Sequence, residues 1–414
     1  MTSQKRENGA GSVYYRKSDN RWCATLSLPS ASDGKPRRVT RTAKTERAAK
    51  ARLTELKRER EKSGDIPTAI LTVSSWAQTW LRTIVEPDLR PNTAQSYRTT
   101  VEQYIIPSVG TKQLVKLTPD HVRLAVQYVT DKGLSTRTAS LTYQVLSMLL
   151  KAAYRDGKVA RNVADAVNRP RTKTKTLKVL DADDAIAVLQ LASGERLGSR
   201  WAAAFLTGAR QGELLGLELD RVGDVLDLSW QLQRVTWHHG CGGICGKNAG
   251  TSCPERKVIA PADHEMRHLR GGLWLSRPKS DAGWRIIPLV DPLRTIIERR
   301  ALVAAAETNP HALLWTQPTG DPLDPWADNN AWHDLLVRAG LEDAADGKVD
   351  KQINLHSARH TTVDLLYQAG VPEAIIQEIV GHSVVAMTRK YKSRGNRPQL
   401  AEALTQMSAL MSPK

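Results

Sequence analysis

Three domains of different class are predicted from this sequence: a small β-sheet with one helix, an all-α four-helix bundle, and a larger mixed α/β domain. Three observations predict them. Apolar residues alternate with period two at Trp22, Ala24, Leu26 and Leu28. From residue 71 to about 167 the apolar spacing becomes helical. Two stretches without apolar periodicity, Gly64–Pro67 and Arg169–Lys178, punctuate the chain. The boundaries that follow are 1–65, 66–168, a basic linker 169–178, and 179–414. A chain of 414 residues is ample for more than one core.

In the first block, Ser12–Tyr15, Arg21–Leu28 and Arg37–Arg41 read as strands, with a turn at Ser32-Asp33-Gly34. A helix follows from Thr45, with Glu46 in its first turn and Ala49, Leu53 and Leu56 on one stripe. In the second block, Val73, Trp76, Ala77, Trp80 and Leu81 line one helix, and Pro91 starts another carrying Ala94, Tyr97, Val101 and Tyr104. Thr118-Pro119 opens a third, with Val122, Ala125, Val126 and Val129. A fourth, from Ser135, uses Leu141, Val145, Leu149 and Ala153. The linker RPRTKTKTLK carries five positive charges, including Arg169, Arg171, Lys173 and Lys175, and suits a hinge that crosses phosphates.

Lys and Arg outnumber Asp and Glu by 60 to 43, for a net charge of +17. Such an excess favours a polyanionic partner, because each neutralised phosphate releases counterions. A solvated basic surface or an anionic membrane is the alternative. Residues 1–65 alone hold 17 basic against 8 acidic residues. Arg37, Arg38 and Arg41 on a small sheet suit a DNA groove. No apolar run is long enough to span a bilayer, and the start MTSQKRENGAG lacks a signal-peptide core, so a soluble intracellular protein is expected. Only four cysteines occur, and disulfides are not expected in a reducing cytoplasm.

The candidate chemistry lies in the third block. Arg210 follows an apolar helix within Thr207-Gly208-Ala209-Arg210-Gln211-Gly212-Glu213, and Glu213 stands three residues on, placed to orient its guanidinium. Lys279, between Pro278 and Trp284-Arg285-Ile286-Ile287-Pro288-Leu289, reads as the tip of a β-hairpin. His356 and Arg359 open a helix that runs to Gly370. The spacing of His356 and His360 permits a metal pair, but no flanking Glu or Asp completes a zincin pattern. Gly381-His382-Ser383 follows a helix with Ile375, Ile376 and Ile379, and Tyr391 comes nine residues after His382 among Arg389, Lys390 and Lys392.

In this order and these local contexts, Arg210, Lys279, His356 with Arg359, His382 and Tyr391 resemble the active-site boxes of the phage integrase family of tyrosine recombinases, lambda-integrase-like, over essentially the whole chain. The resemblance implies an arm-type DNA-binding module at 1–65, a core-binding SAM-like helical domain at 66–168 and a catalytic domain at 179–414. It implies Tyr391 as nucleophile, Arg210 and Arg359 on the scissile phosphate, His382 as a further donor, Lys279 as general acid and His356 assisting proton transfer, with Glu213 behind them. It further implies double-stranded DNA with core and arm attachment sites, a homotetramer on synapsed DNA, a host DNA-bending protein and an excision factor. The setting would be a bacterial cytoplasm, on the nucleoid. No cofactor is required for such chemistry. A resolvase or transposon recombinase of the same chemistry is one rival, and a non-cutting DNA-binding regulator is another. Ser357-Ala358 stands where the family often has Asp-Leu.

Two segments need their own reading. His238-His239-Gly240-Cys241-Gly242-Gly243-Ile244-Cys245, then Cys253, His264 and His268, form an insert at about 238–272, where the family is usually shorter. Three thiols with one of four histidines would make a structural Cys3His zinc site, although the C-x3-C-x7-C spacing is not a standard finger; a flexible DNA-facing loop is the alternative. In the tail, Leu400, Ala403, Leu404, Met407, Leu410 and Met411 share one helical stripe. It would pack on its own domain or, as the resemblance implies, dock into a neighbouring subunit.

Overall fold

A computed structural model of the chain describes residues 11–29, 36–63, 71–172, 180–278, 284–345, 348–381 and 397–410. The chain divides into two compact units, Met1–Glu86 with Thr93–Lys173 and Pro87–Asn92 with Thr174–Lys414.

The first unit begins with an antiparallel sheet ordered β1 (Ser12–Arg16), β2 (Arg21–Leu28) and β3 (Arg37–Ala43), followed by helix α1 (Glu46–Ser63). The register sets Leu26 opposite Val39 and Trp22 opposite Ala43. The period-two apolar face therefore closes against Ala49, Leu53 and Leu56 of α1. The same register sorts the arginines. Arg37 and Arg41 lie opposite Leu28 and Ala24, on the face that carries α1. Arg38 lies opposite Ser27, on the other face with Arg16 and Arg21.

In the helical part, helices cover all four expected segments. α2 (Val73–Trp80) opens on a reciprocal cap between Thr72 and Ser75, at 3.1 and 3.2 Å. It runs through a wide turn, Leu81–Val85, into α3 (Glu86–Asp88). α4 (Pro91–Thr100) likewise runs through Val101–Ile105 into α5 (Ile106–Val109). In each wide turn a backbone N–H donates five residues back, Glu86 to Leu81 and Ile106 to Val101. The next residue is Pro87 or Pro107. A proline has no N–H with which to continue the ordinary ladder, which accounts for the widening. α6 (Pro119–Asp131) and α7 (Thr136–Arg155) are capped by Thr118 and Ser135. Trp76 donates its indole N–H to the Leu149 carbonyl at 3.0 Å, and Val122, Ala125, Val145 and Leu149 are buried. Arg169, expected in the hinge, donates to Ser140 Oγ at 2.7 Å and Gln144 Oε1 at 3.0 Å, so it is held on α7. Arg171 is exposed, while Lys173 and Lys175 lie outside the described residues.

The second unit runs through α8 (Ala182–Ala192), α9 (Gly198–Thr207) and α10 (Gln211–Leu215) into short strands. These are β4 (Val225–Asp227), β5 (Gln231–Arg234), β6 (His238–His239), β7 (Arg256–Lys257), β8 (Met266–Arg270), β9 (Leu273–Ser276) and β10 (Ile286–Pro288). The helices α11 (Leu293–Ala306), α12 (Pro325–Arg338), α13 (His356–Gln368), α14 (Glu373–Val380) and α15 (Arg397–Leu410) follow. Trp332 of α12 packs on Trp201 and Phe205 of α9, ring centroids 6.3 and 5.9 Å apart, at the centre of the main core. Among the described residues no helix is long and apolar enough to cross a membrane.

One expectation is corrected here, and of the two readings of the tail the structure shows the first. Among the described residues the strands flanking Lys279 do not pair with each other: β9 pairs with β5 and β8, and β10 with β4. That pairing sets Leu232 against Leu275 and Leu226 against Ile287, and all four apolar side chains are buried. The tail stripe is covered in cis. Ala403, Leu404 and Met407 are buried in the core of their own unit, where α15 meets α9, α13, α14 and β10. Docking into a neighbour through these three would uncover that core. The side chains of Leu400 and Leu410, and Met411 altogether, lie outside the described set.

Candidate active site and a Cys/His cluster

Arg210 is set by the way α9 ends. Gly208 takes the left-handed conformation, φ 58°, and a Cβ there would come within 2.9 Å of Val380 Cγ1 and 3.3 Å of Thr362 Cγ2. Glycine thus lets the turn lie close against α13 and α14. Arg210 is the extended N-cap of α10, and Glu213 at the third helical position reaches back to it. One Glu213 oxygen accepts from the Arg210 backbone N–H at 2.8 Å and the other from Nη1 at 2.7 Å. The three-residue spacing read from sequence is realised as this double contact. Behind the box, Gln211 donates to Pro325 O and Asp328 Oδ2, both at 2.8 Å, and Asp328 also pairs with the buried Arg200.

Glu213 is 1 % exposed and has a second cationic partner, Arg285, which enters just before β10. Arg285 donates from Nη2 to Glu213 and from Nη1 to the Ile379 carbonyl near the end of α14. Burial pushes the Glu213 carboxyl up, but Arg285 and Arg210 more than reverse this and hold it below its ordinary value. Arg210 remains partly open to solvent and donates from Nη2 to Gly381 O at 3.1 Å. Two guanidiniums thus cap the carbonyl end of α14, the favourable end for cations. Sequence reasoning missed Arg285. Its only signal was a lone arginine at the head of an apolar strand.

Arg359 comes from α13, which is tied down by Thr362 Oγ1 donating to Phe205 O at 2.7 Å and Thr361 Oγ1 to Leu180 O at 2.9 Å. The approach to α13 is fixed by Glu342. It accepts from the backbones of Gln352 and Ile353 at 2.9 and 2.7 Å, and its other oxygen lies 2.7 Å from His333 Nδ1. Arg359 Nη1 donates to Gly208 O at 2.8 Å, whereas Nη2 is buried with no partner among the described residues. Burial first, then repulsion from Arg285 and Arg210, pushes this guanidinium down to about 9. Among the described residues, Arg210, Arg285 and Arg359 gather around one carboxylate, Glu213. Such a site is short of negative charge, and an anion such as a phosphodiester would supply it.

The structure therefore brings Arg210, Glu213 and Arg359 together, one residue short of His382. His356 is exposed at the start of α13, its ring 4.9 Å from that of His360. Lys279, His382 and Tyr391 lie outside the described residues.

A second constellation lies in the insert. Ligand atoms of His239, Cys241, Cys245 and Cys253 all lie within 4.8 Å of one another, a group able to hold a metal ion. Cys253 Sγ is 3.5 Å from Cys241 Sγ, and His239 Nδ1 is 3.3 Å from Cys245 Sγ and 3.9 Å from Cys241 Sγ. Gly242 and Gly243, with φ of 67° and 91°, carry the tight turn between the first two cysteines. β6 and β7 pair His239 with Arg256 and so close the loop that delivers Cys253. All four cysteines of the chain are free thiols. A hydrogen bond from the Cys245 backbone, chiefly, lowers Cys241 to about 6. Of the other histidines, His268 lies 3.0 Å through Nε2 from Gly271 O and packs on Trp274, with ring centroids 4.7 Å apart. His238, His264, His268, His356 and His360 do not join a ligand group among the described residues.

Two family models match the chain: the phage integrase family over residues 263–396, and the phage integrase N-terminal SAM-like domain over 72–129. An integrase of Saccharopolyspora erythraea is 29% identical over 424 residues, covering 94% of this chain and 95% of its own. Among solved structures, the Tn1549 transposon integrase in complex with a circular intermediate DNA superposes with a TM-score of 0.59 at 16% identity, covering 83% of this chain and 95% of that one. The lambda integrase tetramer bound to a Holliday junction superposes with a TM-score of 0.51 at 15% identity, covering 94% and 99%. At these identities the two structures bear on the fold. The fold, the gathered arginine boxes and the sequence matches agree: the chain belongs to the phage integrase family of tyrosine site-specific recombinases.

Proposed function

We propose that this recombinase integrates and excises a mobile DNA element, such as a phage genome, through a 3′-phosphotyrosine at Tyr391. One observation carries the assignment of roles. Arg359, buried beside Arg210, has a free Nη2 donor among the described residues in a site where guanidiniums exceed carboxylates. In the cleavage step the Tyr391 phenol oxygen attacks the phosphorus, the bond to the 5′-oxygen breaks, and tyrosine is left esterified to the 3′ side. A phenol, with an ordinary pKa of about 10, needs help at both ends of this exchange. His356 assists removal of its proton and Lys279 protonates the leaving 5′-oxygen. Arg210 and Arg359 take up the charge on the non-bridging oxygens, and His382 adds a further hydrogen bond. Because the ester linkage is kept, a 5′-hydroxyl rejoins the strand by the reverse attack without nucleotide hydrolysis.

Residues 1–65 serve arm sites through Arg37, Arg38 and Arg41. Residues 66–168 and 179–414 serve the crossover core, with Arg169, Arg171, Lys173 and Lys175 near phosphates. Four chains act together on synapsed DNA, the number in the lambda integrase complex. A nicked attachment-site substrate tests the reading. Wild-type protein becomes covalently joined to the DNA, whereas Tyr391→Phe binds the same DNA and forms no adduct. Recombination by the Phe variant would show that the nucleophile is another residue.

The Cys/His group we assign to a structural zinc ion. Tetrahedral zinc with Zn–S near 2.3 Å and Zn–N near 2.0–2.1 Å has ligand edges of about 3.5–3.8 Å. The distances of 3.3–3.9 Å lie around that range. Four protein ligands leave no open position, so the ion would fold the insert rather than act on DNA. Elemental analysis of purified protein is expected to find about one zinc per chain and almost none in Cys241→Ser with Cys253→Ser. Metal-free wild-type protein would remove the assignment.

A further inference from the structure

Arg285 has no part in the chemistry proposed above, yet it is one of the most deeply placed charges in the second unit, 4 % exposed. It joins two groups distant in sequence. One guanidinium nitrogen donates to the Ile379 carbonyl, and another to the Glu213 oxygen that also accepts the Arg210 backbone N–H. The remaining Glu213 oxygen takes Arg210 Nη1. The contacts form a chain in space: α14 anchors Arg285, Arg285 anchors Glu213, and Glu213 aims Arg210.

An isolated carboxylate with 1 % exposure would not remain ionised, because desolvation penalises its charge. Arg210 alone is a poor counter-ion for it, since that side chain is 40 % exposed and must also face the DNA. Arg285 supplies a dry charge on the far side. It keeps Glu213 ionised and leaves the solvent-facing part of Arg210 for the phosphate.

We propose that Arg285 is a positioning residue for strand cleavage, acting through Glu213 to fix the guanidinium of Arg210. The inference rests on Arg210 holding the scissile phosphate. Lysine would keep the charge at this position but lacks the fork that spans both Glu213 and Ile379. Glutamine would remove the charge and leave Glu213 with Arg210 as its one direct counter-ion and Arg359 farther off.

Single-turnover cleavage of a nicked attachment-site duplex, measured beside DNA affinity, provides the test. Arg285→Lys is expected to bind DNA within about threefold of wild type and to cleave about 10- to 100-fold more slowly, the scale of a misplaced catalytic group. In Arg285→Gln the acid limb of the cleavage profile should move to higher pH, as Glu213 regains its proton more readily. The decisive comparison is Arg285→Gln made in a Glu213→Gln background, where it should change cleavage less than about threefold. An equal loss in both backgrounds, or Arg285→Lys cleaving at the wild-type rate, would overturn the proposal. Failure of the wild-type protein itself to form an adduct would instead overturn the cleavage reading on which it rests.

Discussion

The arginine centre and the Cys/His insert are built in opposite ways. The first draws on Gly208–Glu213, Arg285, Arg359 and Ile379–Gly381, brought together only when the whole unit has folded. The second has its four ligands within His239–Cys253 and needs one short strand pair, β6 with β7, and one tight turn carried by two glycines. They also lack opposite things: the centre carries surplus positive charge, and the insert carries thiols suited to a cation. One site is thus held together by packing across the unit and is suited to an anion, while the other is a local group of side chains able to hold a metal ion.

The largest expected effect lies at the centre. Arg359→Gln removes a buried donor without a partner among the described residues, which the proposed mechanism assigns to the phosphate, and should slow strand cleavage by about 100- to 1000-fold, with zinc content unchanged. A loss below about fivefold would detach Arg359 from the reaction. The converse change is milder. Cys241→Ser with Cys253→Ser should make the segment 238–272 sensitive to limited proteolysis while cleavage at the core site falls less than about tenfold. Full loss of cleavage in this soluble variant would break the separation, and would mean that the insert supports the reaction centre.

The smallest effect is on stability against acid. The folded carboxyl of Glu213 lies below its ordinary value near 4.5, held there by Arg285 and Arg210 against burial. Its contribution is therefore present above that value and lost as pH falls through the folded one. Glu213→Gln should flatten the fall in denaturation midpoint between about pH 5 and 3 relative to wild type. Parallel curves would indicate that the carboxylate is not ionised in the folded protein.

Local chemistry made much of this legible from sequence. Thr118 and Ser135 mark helix starts because caps act within three residues, and the Arg210–Glu213 contact also spans three. What failed depends on distant partners. Arg285 looked like a stray charge because its carboxylate lies 72 residues away. The strands around Lys279 looked like a hairpin because sequence does not say which limb pairs across an insert. His239 could not be told from His238, His264 and His268 until β6 and β7 turned its ring toward the thiols. The tail stripe was correctly apolar, but its cover is set by the space left between α13, α14 and α9.

In the proposed reaction Tyr391 forms the covalent bond to DNA at a phosphate held by Arg210 and Arg359. Mass spectrometry of the trapped adduct after protease and nuclease digestion tests it most directly. The expected product is a nucleotide joined through its 3′-phosphate to the peptide that contains Tyr391, with a much lower yield of that peptide from Arg359→Gln. A nucleotide on any other tyrosine, or a 5′-phosphate linkage, would contradict it.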